Sequence, residues 1–545
     1  MKINILSDYL YSLSDEESLP IAVLFFAGRI FPQGSKFVMN IGYSTIIQVL
    51  SEIATLDSNQ IQKIYLEHGD MGALSEYAVS KKNVVSLFQQ QPLTLSSIYG
   101  RLKEIADTIG SGSGKDKKNI LKGLLIDSSP QEAKYLIKII TREMRIGLTE
   151  GLVEIAISKV FRQGLKDVRD SMLVSGDISK VVLLAKGNLL HTALIKPLTP
   201  ISYMLADVMF TAEEITNYYQ KPLICEFKYD GIRAQMHKSG QQIRLFSRKL
   251  SEITNAFPEL ANAAVNVKLL SSTLLSDIDF ILDGEVIAFQ NGKPLHFQEL
   301  QKRLHKKNLT EQIMTETPLL YVVFDIMYFN GESLIKKSIR ERKEILSNIS
   351  FKEPIINSIY KLVNSEEEII AMFEKSRDIG HEGLVLKDPD SHYHPGKRGR
   401  YWVKLKKELD TIDAVIVIAE YGHGKRAGVL SDYTFAVRDD DSNSVSKLRT
   451  IGKAYSGLTD DEILETTRKL KSIIIKDEGT RITVRPVIIL EVAFDSIQKS
   501  NRHDSGFALR FPRIKNIRED KNVSDIDSLQ NVKRIYQKQV YIMGR

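Results

Sequence analysis

Residues 225–237 read CEFKYDGIRAQMH and set Glu226, Lys228 and Asp230 at alternate positions before Gly231 and Arg233. On a strand, side chains two apart share a face, so two carboxylates and an amine crowd one side while Cys225, Phe227 and Tyr229 line the other. Alternation alone describes any strand with one wet face. The same mixture recurs downstream. ILDGEVIAF sets Asp283 and Glu285 among Ile281, Leu282, Val286, Ile287 and Phe289, and HEGLVLK sets Glu382 just before Leu384, Val385 and Leu386. YWVKLKK puts Trp402, Lys404 and Lys406 on one strand face, with Val403 and Leu405 on the other. Charge within an apolar run is costly unless it is paired, metal-bound or at the rim of a site. Taken singly, each has a bland explanation: a turn at Asp283–Gly284, a cap at Glu382, solvent at Lys404. Taken together, they are the parts needed to hold a nucleoside triphosphate with Mg²⁺. Carboxylates bind the hard cation, lysine and arginine neutralise phosphate oxygens, and an aromatic ring stacks on the base.

The chain that must position these groups has 545 residues, and single cores seldom grow past about 250, so roughly three or four domains are expected. A content of 43 % hydrophobic and 26 % charged residues suits a globular protein. The start, MKINILSDYLYS, reaches Asp8 before an apolar core of signal-peptide length. No apolar run approaches the ~18 residues of a membrane span. The expectation is an intracellular protein, cytoplasmic in a prokaryote, with no membrane partner. Cys225 is the only cysteine, which excludes an intramolecular disulfide and a cysteine-rich zinc site. A metal would be held mainly by oxygen, with histidine the alternative. Lys and Arg number 75 against 68 Asp and Glu, a net +7 that permits a polyanionic partner without demanding one.

The first ~190 residues read as helical, with turn signals between amphipathic stretches. In SSPQEAKYLIKIITREMRIG, Ser129 caps, Pro130 takes the first helical position and Glu132 completes a capping box. Ala133, Leu136, Ile137, Ile140 and Met144 then recur at helical spacing, with Arg142 and Arg145 near the end. GSGSGKDKK, 110–118, lacks the Walker spacing: Ile109 stands where a glycine is needed and Asp116 where Ser or Thr is needed. It reads as a flexible, basic loop between helices. KGNLLHTALIKPLTPIS, with Pro197 and Pro200, reads as a connection between domains. Beyond it come short strands separated by glycine turns. After KLKKELD, the runs DAVIVIAE, YTFAVRD, LRTIGKA and PVIILEVAF supply a small barrel.

KYDGIR resembles the nucleophile motif of the covalent nucleotidyltransferases, the superfamily of ATP-dependent DNA ligases, RNA ligases and capping guanylyltransferases. SRKLSE, LDGEVIAF, YVVFDIMYFNGESL, HEGLVLKDPDSHYHPGKRGRYWVKLKK and ALRFPRIKNIREDK resemble the remaining ligase motifs, in order. FFAGRIFP, MRIGLTEGLVEIAISKVF and IKPLTPISYMLAD resemble the helical domain and linker of archaeal and eukaryotic replicative DNA ligases. The resemblance covers nearly the whole chain. It implies an all-α DNA-binding domain over 1–195, an α+β nucleotidyltransferase (adenylation) domain over 196–410 and a C-terminal β-barrel OB-fold over 411–545.

The resemblance also implies roles. Lys228 attacks the α-phosphate of ATP, expels pyrophosphate and carries AMP, which then passes to the 5′-phosphate of a nick before the 3′-hydroxyl displaces it. Glu226 accepts from the adenine amino group, and Arg233 reaches the ribose. Arg248 serves nucleotide and nick phosphates, Glu285 the ribose and metal, Phe324 stacks on adenine, and Glu382 is a second metal ligand. Arg400, Lys404 and Lys406 line the phosphate path, Lys406 nearest the α-phosphate. In the barrel, Arg518, Asp520 and Lys521 orient pyrophosphate, although Lys515 and Asn516 interrupt a stretch that is usually more apolar. ATP and Mg²⁺ are the implied cofactors. Nicked duplex DNA is the implied partner, encircled by a monomer, and a sliding clamp is a further candidate. Arg142, Arg145 and the basic residues 115–118 are candidate phosphate contacts, salt-sensitive and sequence-blind.

Other readings fare worse. A capping guanylyltransferase would not carry ~200 helical residues before its lysine, an RNA ligase lacks this pairing of helical domain and barrel, and an NAD-dependent ligase carries a four-cysteine zinc module. A non-catalytic binding protein built on a dead core conflicts with the intact set Lys228, Glu285, Glu382, Lys404 and Lys406.

Overall fold

The alternation read from the sequence becomes two sheets that face one another. In the computed structural model, which describes residues 1–13, 15–35, 37–83, 92–110, 112–270, 278–295, 297–304, 310–406, 410–422, 426, 428–439 and 447–544, β1 (Leu205–Met209), β2 (Leu223–Lys228), β12 (Tyr360–Val363), β13 (Gly383–Lys387) and β14 (Arg398–Lys406) form the first sheet in the order β1-β14-β13-β2-β12. The second runs β11-β8-β6-β3-β4, from β3 (Ile232–Ser239), β4 (Gln242–Ser247), β6 (Phe280–Gln290), β8 (Leu319–Phe329) and β11 (Ile355–Asn357). Two-residue strands β7 (Lys293–Pro294) and β9 (Glu332–Ser333) extend hairpins from β6 and β8, and β5 (Lys268–Leu269) pairs with β10 (Ile349–Ser350).

Three cores follow from the two faces of these sheets. Leu223, Cys225, Phe227, Leu384, Leu386, Val403 and Leu405 pack together behind the first sheet. Leu282, Val286, Tyr321 and Val323 belong to the core behind the second. Between the sheets, Ile224 and Trp402 of the first meet Ile281 and Met327 of the second. Each strand thus spends one side chain in two on the crevice, where Glu226 and Lys228 also point.

The connection after the helices is fastened along β3. Leu198 N–H donates to His237 Nδ1 at 3.1 Å, and Ile201 exchanges hydrogen bonds with the Gln235 amide. Tyr203 O–H donates to Phe246 O at 2.7 Å. Burial, with some help from the Arg244 charge, pulls the His237 imidazole down to about 3, so it stays neutral and Nδ1 stays an acceptor.

By contacts the chain divides into two compact units. One comprises residues 1–49, 85–129 and 135–407, holding both sheets and most of the N-terminal helices; there Lys2–Ser12 packs on Glu150–Val160, and Ser18–Phe26 on Ile178–Lys186. Two expectations are corrected in this unit. Residues 113–118 are not a loop but the start of the helix Ser113–Asp127, entered through Gly112 at φ +86°, and Lys117 is buried with Nζ donating to Met39 O at 3.0 Å. Residue 111 lies outside the described residues. The helix from Pro130 ends at Thr141, short of Met144. Arg142 adopts φ +59°, Arg142 N–H bonds Ile139 O and Glu143 N–H bonds Lys138 O. That is the hydrogen-bond pair of a Schellman ending, built without glycine.

The other unit comprises 50–84, 130–134 and 408–545. Its antiparallel sheet runs β17-β16-β15-β19-β18, from β15 (Asp410–Tyr421), β16 (Leu430–Asp439), β17 (Lys447–Ala454), β18 (Ile474–Asp477) and β19 (Arg481–Val484). β20 (Ile489–Phe494) also pairs with β15 and carries β23 (Arg513–Ile517), while β21 (Ser496–Lys499) and β22 (Phe507–Arg510) form a hairpin. The β-rich C-terminal region is the one the sequence leads one to expect.

Candidate active site

Strand register assembles the site before any side chain is considered. Lys228 pairs with Gly383, which pairs with Lys406, and Glu226 pairs with Val385, which pairs with Lys404. Neighbouring strands are ~4.8 Å apart, so the Cα atoms of Lys228 and Lys406 lie roughly 10 Å from one another with only a glycine between. Gly383 is required there: its φ is +150°, and a Cβ would meet Leu405 O at 2.4 Å. Gly231, in the turn from β2 to β3, is required for closeness alone, since a Cβ would stand 2.1 Å from Val286 O. The K-x-D-G spacing is therefore a packing necessity as well as a motif.

At one end of the crevice, Lys228 Nζ donates to Glu382 Oε2, and Glu382 N–H donates to Lys228 O at 2.9 Å. The side chains of Lys228 and Glu382 remain 22 % and 19 % exposed, enough for a ligand to reach both. Glu285 stands opposite Arg233 in the β3–β6 register. Burial raises its carboxyl to about 8; Lys228 and Arg233 pull down less than burial pushes up, and Glu382 and Asp283 add to the rise.

At the other end Glu226 is buried between two ammonium groups. Lys343, from the helix Ile339–Ser347, donates to Oε1, which also accepts from Ser358 Oγ at 2.9 Å. Lys387 Nζ forms an ion pair with Oε2 at 2.5 Å. Burial favours the protonated carboxyl, yet the two lysines outweigh it and bring Glu226 down to about 2. Lys387 also lies 4.6 Å from the Phe324 ring centroid and 4.3 Å from that of Trp402. Phe324 reaches the crevice by alternation, two residues on from Val322, the partner of Glu285; there β8 bulges against β6, since Gly284 pairs with Val323 but Asp283 with Asp325, so Phe324 is the extra residue and Asp325 takes the same side.

Arg233 spans the middle and is committed to protein. Nε and Nη2 donate to Asp283 at 3.0 and 2.7 Å, and Nη1 to Met204 O at 2.8 Å. Asp283 accepts from Tyr393 O–H as well, at 2.9 Å. So Asp283 lies within a strand, not a turn, and its charge is paired. Arg248 sits exposed on the turn after β4. Arg400 is exposed over the Tyr218 ring at 4.8 Å, with Nε 3.9 Å from Asp207. Lys404 is partly buried, and the side chain of Lys406 lies outside the described residues. In the C-terminal unit Arg518 pairs with Asp520 at 2.6 Å and with Asp413 at 3.3 Å, and Lys521 reaches the same Asp413 at 2.5 Å.

The register thus gathers Glu226, Lys228, Arg233, Glu285, Phe324 and Glu382, and leaves Arg248 and Arg400 at exposed positions. Sequence reasoning missed Lys343 and Lys387 as parts of the site, and singled out Asp283 without its role as the holder of Arg233. Lys387 was within reach, because it shares a strand face with Gly383 and Val385.

Comparisons with known proteins agree with this architecture along the chain. Three family models match: DNA ligase N terminus over residues 1–158, ATP dependent DNA ligase domain over 203–406, and ATP dependent DNA ligase C terminal region over 426–521. A probable DNA ligase of Koribacter versatilis (strain Ellin345) is 37 % identical across 99 % of this chain and 94 % of its own length. The chain belongs to the ATP-dependent DNA ligases. The DNA ligase of Archaeoglobus fulgidus is 32 % identical to this ligase, over 97 % of the chain and 94 % of the relative. A solved structure named Pmar-Lig_Pre shares the fold with a TM-score of 0.53 over 87 % of the ligase and 99 % of that chain, at 16 % identity.

ATP is the ligase's nucleotide, and Mg²⁺ is the family's usual cofactor. Its donor set fits a hard cation, since Glu285 and Glu382 offer oxygen only, and the Glu285 carboxyl is held from ionising chiefly by burial, a cost that a bound cation would offset. Among the described residues no group of three or more His, Cys, Asp or Glu is gathered for a metal. Two carboxylates completed by substrate phosphates are what Mg²⁺ takes in such sites. Among the described residues no helix is long and apolar enough to cross a membrane.

Proposed function

We propose that this ATP-dependent DNA ligase uses Lys228 as its nucleophile, with the nucleotide lying across the β2–β13–β14 face and its base toward Glu226. The observation that carries the reading is the Lys228–Gly383–Lys406 row with Glu382 against Lys228. Lys228 Nζ, having given up its proton to solvent at this partly exposed end of the crevice, attacks the α-phosphorus and forms a phosphoramidate as the bond to the pyrophosphate oxygen breaks. Lys404 and Lys406, with Arg248 and Arg400 at the rim, neutralise the phosphate oxygens as charge builds on them. Glu226 accepts from the adenine 6-amino group while Phe324 stacks on the ring, and Arg233, held by Asp283, shapes the ribose side. Glu285 and Glu382 hold Mg²⁺, which when bound withdraws charge from the phosphates.

AMP then passes to the 5′-phosphate of the nick, and the 3′-hydroxyl displaces it. Arg518, Asp520 and Lys521 serve the pyrophosphate during the first step; the anchoring of Arg518 and Lys521 on Asp413, with Asp520 on Arg518, supports one role for the group. The division into a helical domain over 1–195, an adenylation domain over 196–410 and an OB-fold over 411–545 is supported by the placing of the three family models. A DNA substrate supports an intracellular location.

Incubation with Mg²⁺ and ATP labelled at the α-phosphate tests the reading. The denatured protein is expected to carry label, nicked duplex to discharge it, and Lys228→Ala to fold and bind the nick but acquire none. Label retained by that variant would move the nucleophile elsewhere.

A further inference from the structure

Helix Ile339–Ser347 carries Arg342 and Lys343 side by side, and each ends on a different sheet. Arg342 grips β8: Nε and Nη2 donate to Asp325 at 2.7 and 2.9 Å, with both side chains buried. Asp325 directly follows Phe324, the extra residue of the bulge. Lys343 grips β2: its ammonium donates to Glu226 Oε1 and to Ser358 Oγ at 3.0 Å, and lies 4.9 Å from the Tyr360 ring centroid. Three partners thus surround an ammonium with three N–H bonds, so its position is fully specified. One helical turn sets both the strand that bears the stacking ring and the carboxylate beside it.

We propose that Lys343 is a positioning residue that determines nucleotide specificity, by holding the Glu226 carboxylate ionised and fixed relative to Phe324 so that the ligase reads the purine 6-amino group. The proposal rests on Glu226 being the adenine acceptor. An ionised carboxylate only accepts hydrogen bonds, so it selects a 6-amino donor and rejects a 6-oxo acceptor. A carboxyl that has gained a proton both donates and accepts, and that selectivity goes. Lys387 balances the other oxygen from the neighbouring strand, but it does not touch Ser358 or Tyr360 in the way that fixes Oε1. Lys343 itself is turned toward protein groups and is assigned no contact with the nucleotide.

The test compares rates of self-adenylation with ATP, with purine riboside triphosphate, which lacks only the 6-amino group, and with GTP. In the unaltered enzyme ATP is expected to be preferred over the purine analogue by roughly 10- to 100-fold, the worth of one hydrogen bond to a charged acceptor. Lys343→Met should cut that preference by about tenfold and admit GTP, whereas Lys343→Arg should keep most of it. A merely structural role would slow all nucleotides alike; an unchanged preference in Lys343→Met overturns the proposal. Glu226→Gln separates the two layers. If its preference for ATP over GTP matches that of the unaltered enzyme, although the amide can donate to a 6-oxo group, the acceptor reading fails and the proposal falls with it; if that preference collapses while that of Lys343→Met persists, only the role of Lys343 fails. Should Lys343→Met not fold, Ser358→Ala carries the test, with a loss of about threefold in preference expected and no loss overturning the proposal.

Discussion

Glu226 and Glu285 face the same crevice from opposite sheets, and both lose water, yet the first is pulled down to about 2 and the second pushed up to about 8. Burial acts alike on each, so partners decide. Glu226 has an ammonium at each oxygen and a hydroxyl besides. The cations nearest Glu285 are spoken for: Lys228 faces Glu382, and Arg233 is locked on Asp283. One end of the crevice is electrically finished within the protein, and the other is left for the ligand to finish. Recognition gains from the first arrangement, because a fixed acceptor needs no reorganisation on binding. Chemistry gains from the second, because charge stabilisation is then delivered only when substrate is present.

The contrast breaks most visibly through stability. Glu226→Gln leaves two buried ammonium groups facing a neutral amide and is expected to cost about 3–5 kcal/mol in urea unfolding, the usual loss on breaking a buried pair from one side. A cost below ~1 kcal/mol would mean that the charge is as weakly held as a surface pair. Acid sharpens the same point. Between the ordinary carboxyl value of 4.5 and about 2, the unfolded chain takes up a proton that folded Glu226 refuses. Its contribution, on the order of 3 kcal/mol, is therefore whole above pH 4.5 and lost as pH falls toward 2. The stability gap between the unaltered enzyme and Glu226→Gln should close across that window. At the other end Glu382→Gln is expected to leave the melting temperature nearly unchanged while slowing label uptake from ATP by about 100-fold, the scale of one lost electrostatic stabiliser. A destabilised Glu382→Gln with normal labelling would reverse the contrast. Smallest is Phe324→Leu, which keeps apolar contact but loses the stack and should raise the KM for ATP several-fold, from about 0.5–1.5 kcal/mol.

What the sequence made legible was whatever period two controls. Glu226 and Lys228 on one face, Cys225 and Phe227 on the other, and Lys404 with Trp402 opposite Val403 and Leu405 all follow from alternation, and the sheets kept it. Contacts that alternation does not encode were hidden. Lys343 lies 117 residues from Glu226 and on a helix, so no spacing announces the pair. The bulge at Phe324, which brings Asp325 to the crevice side, adds one residue with no glycine or proline to mark it. At 110–118 the glycines and serines suggested a flexible loop, but Gly112 takes a positive φ that starts a helix, and a carbonyl from Met39 draws Lys117 inside. Arg142 ends its helix in the left-handed region without the glycine that usually signals such a stop.

Trp402 is the chain's single tryptophan, and it is buried in the crevice against Lys387, with Arg233 5.8 Å from its ring centroid. Excited at the long-wavelength edge, where the 21 tyrosines absorb little, the ligase therefore emits from one indole within the crevice proposed to take the nucleotide. Loading and discharge of AMP can be followed by light from the unlabelled enzyme in real time, against a background to which no other tryptophan contributes.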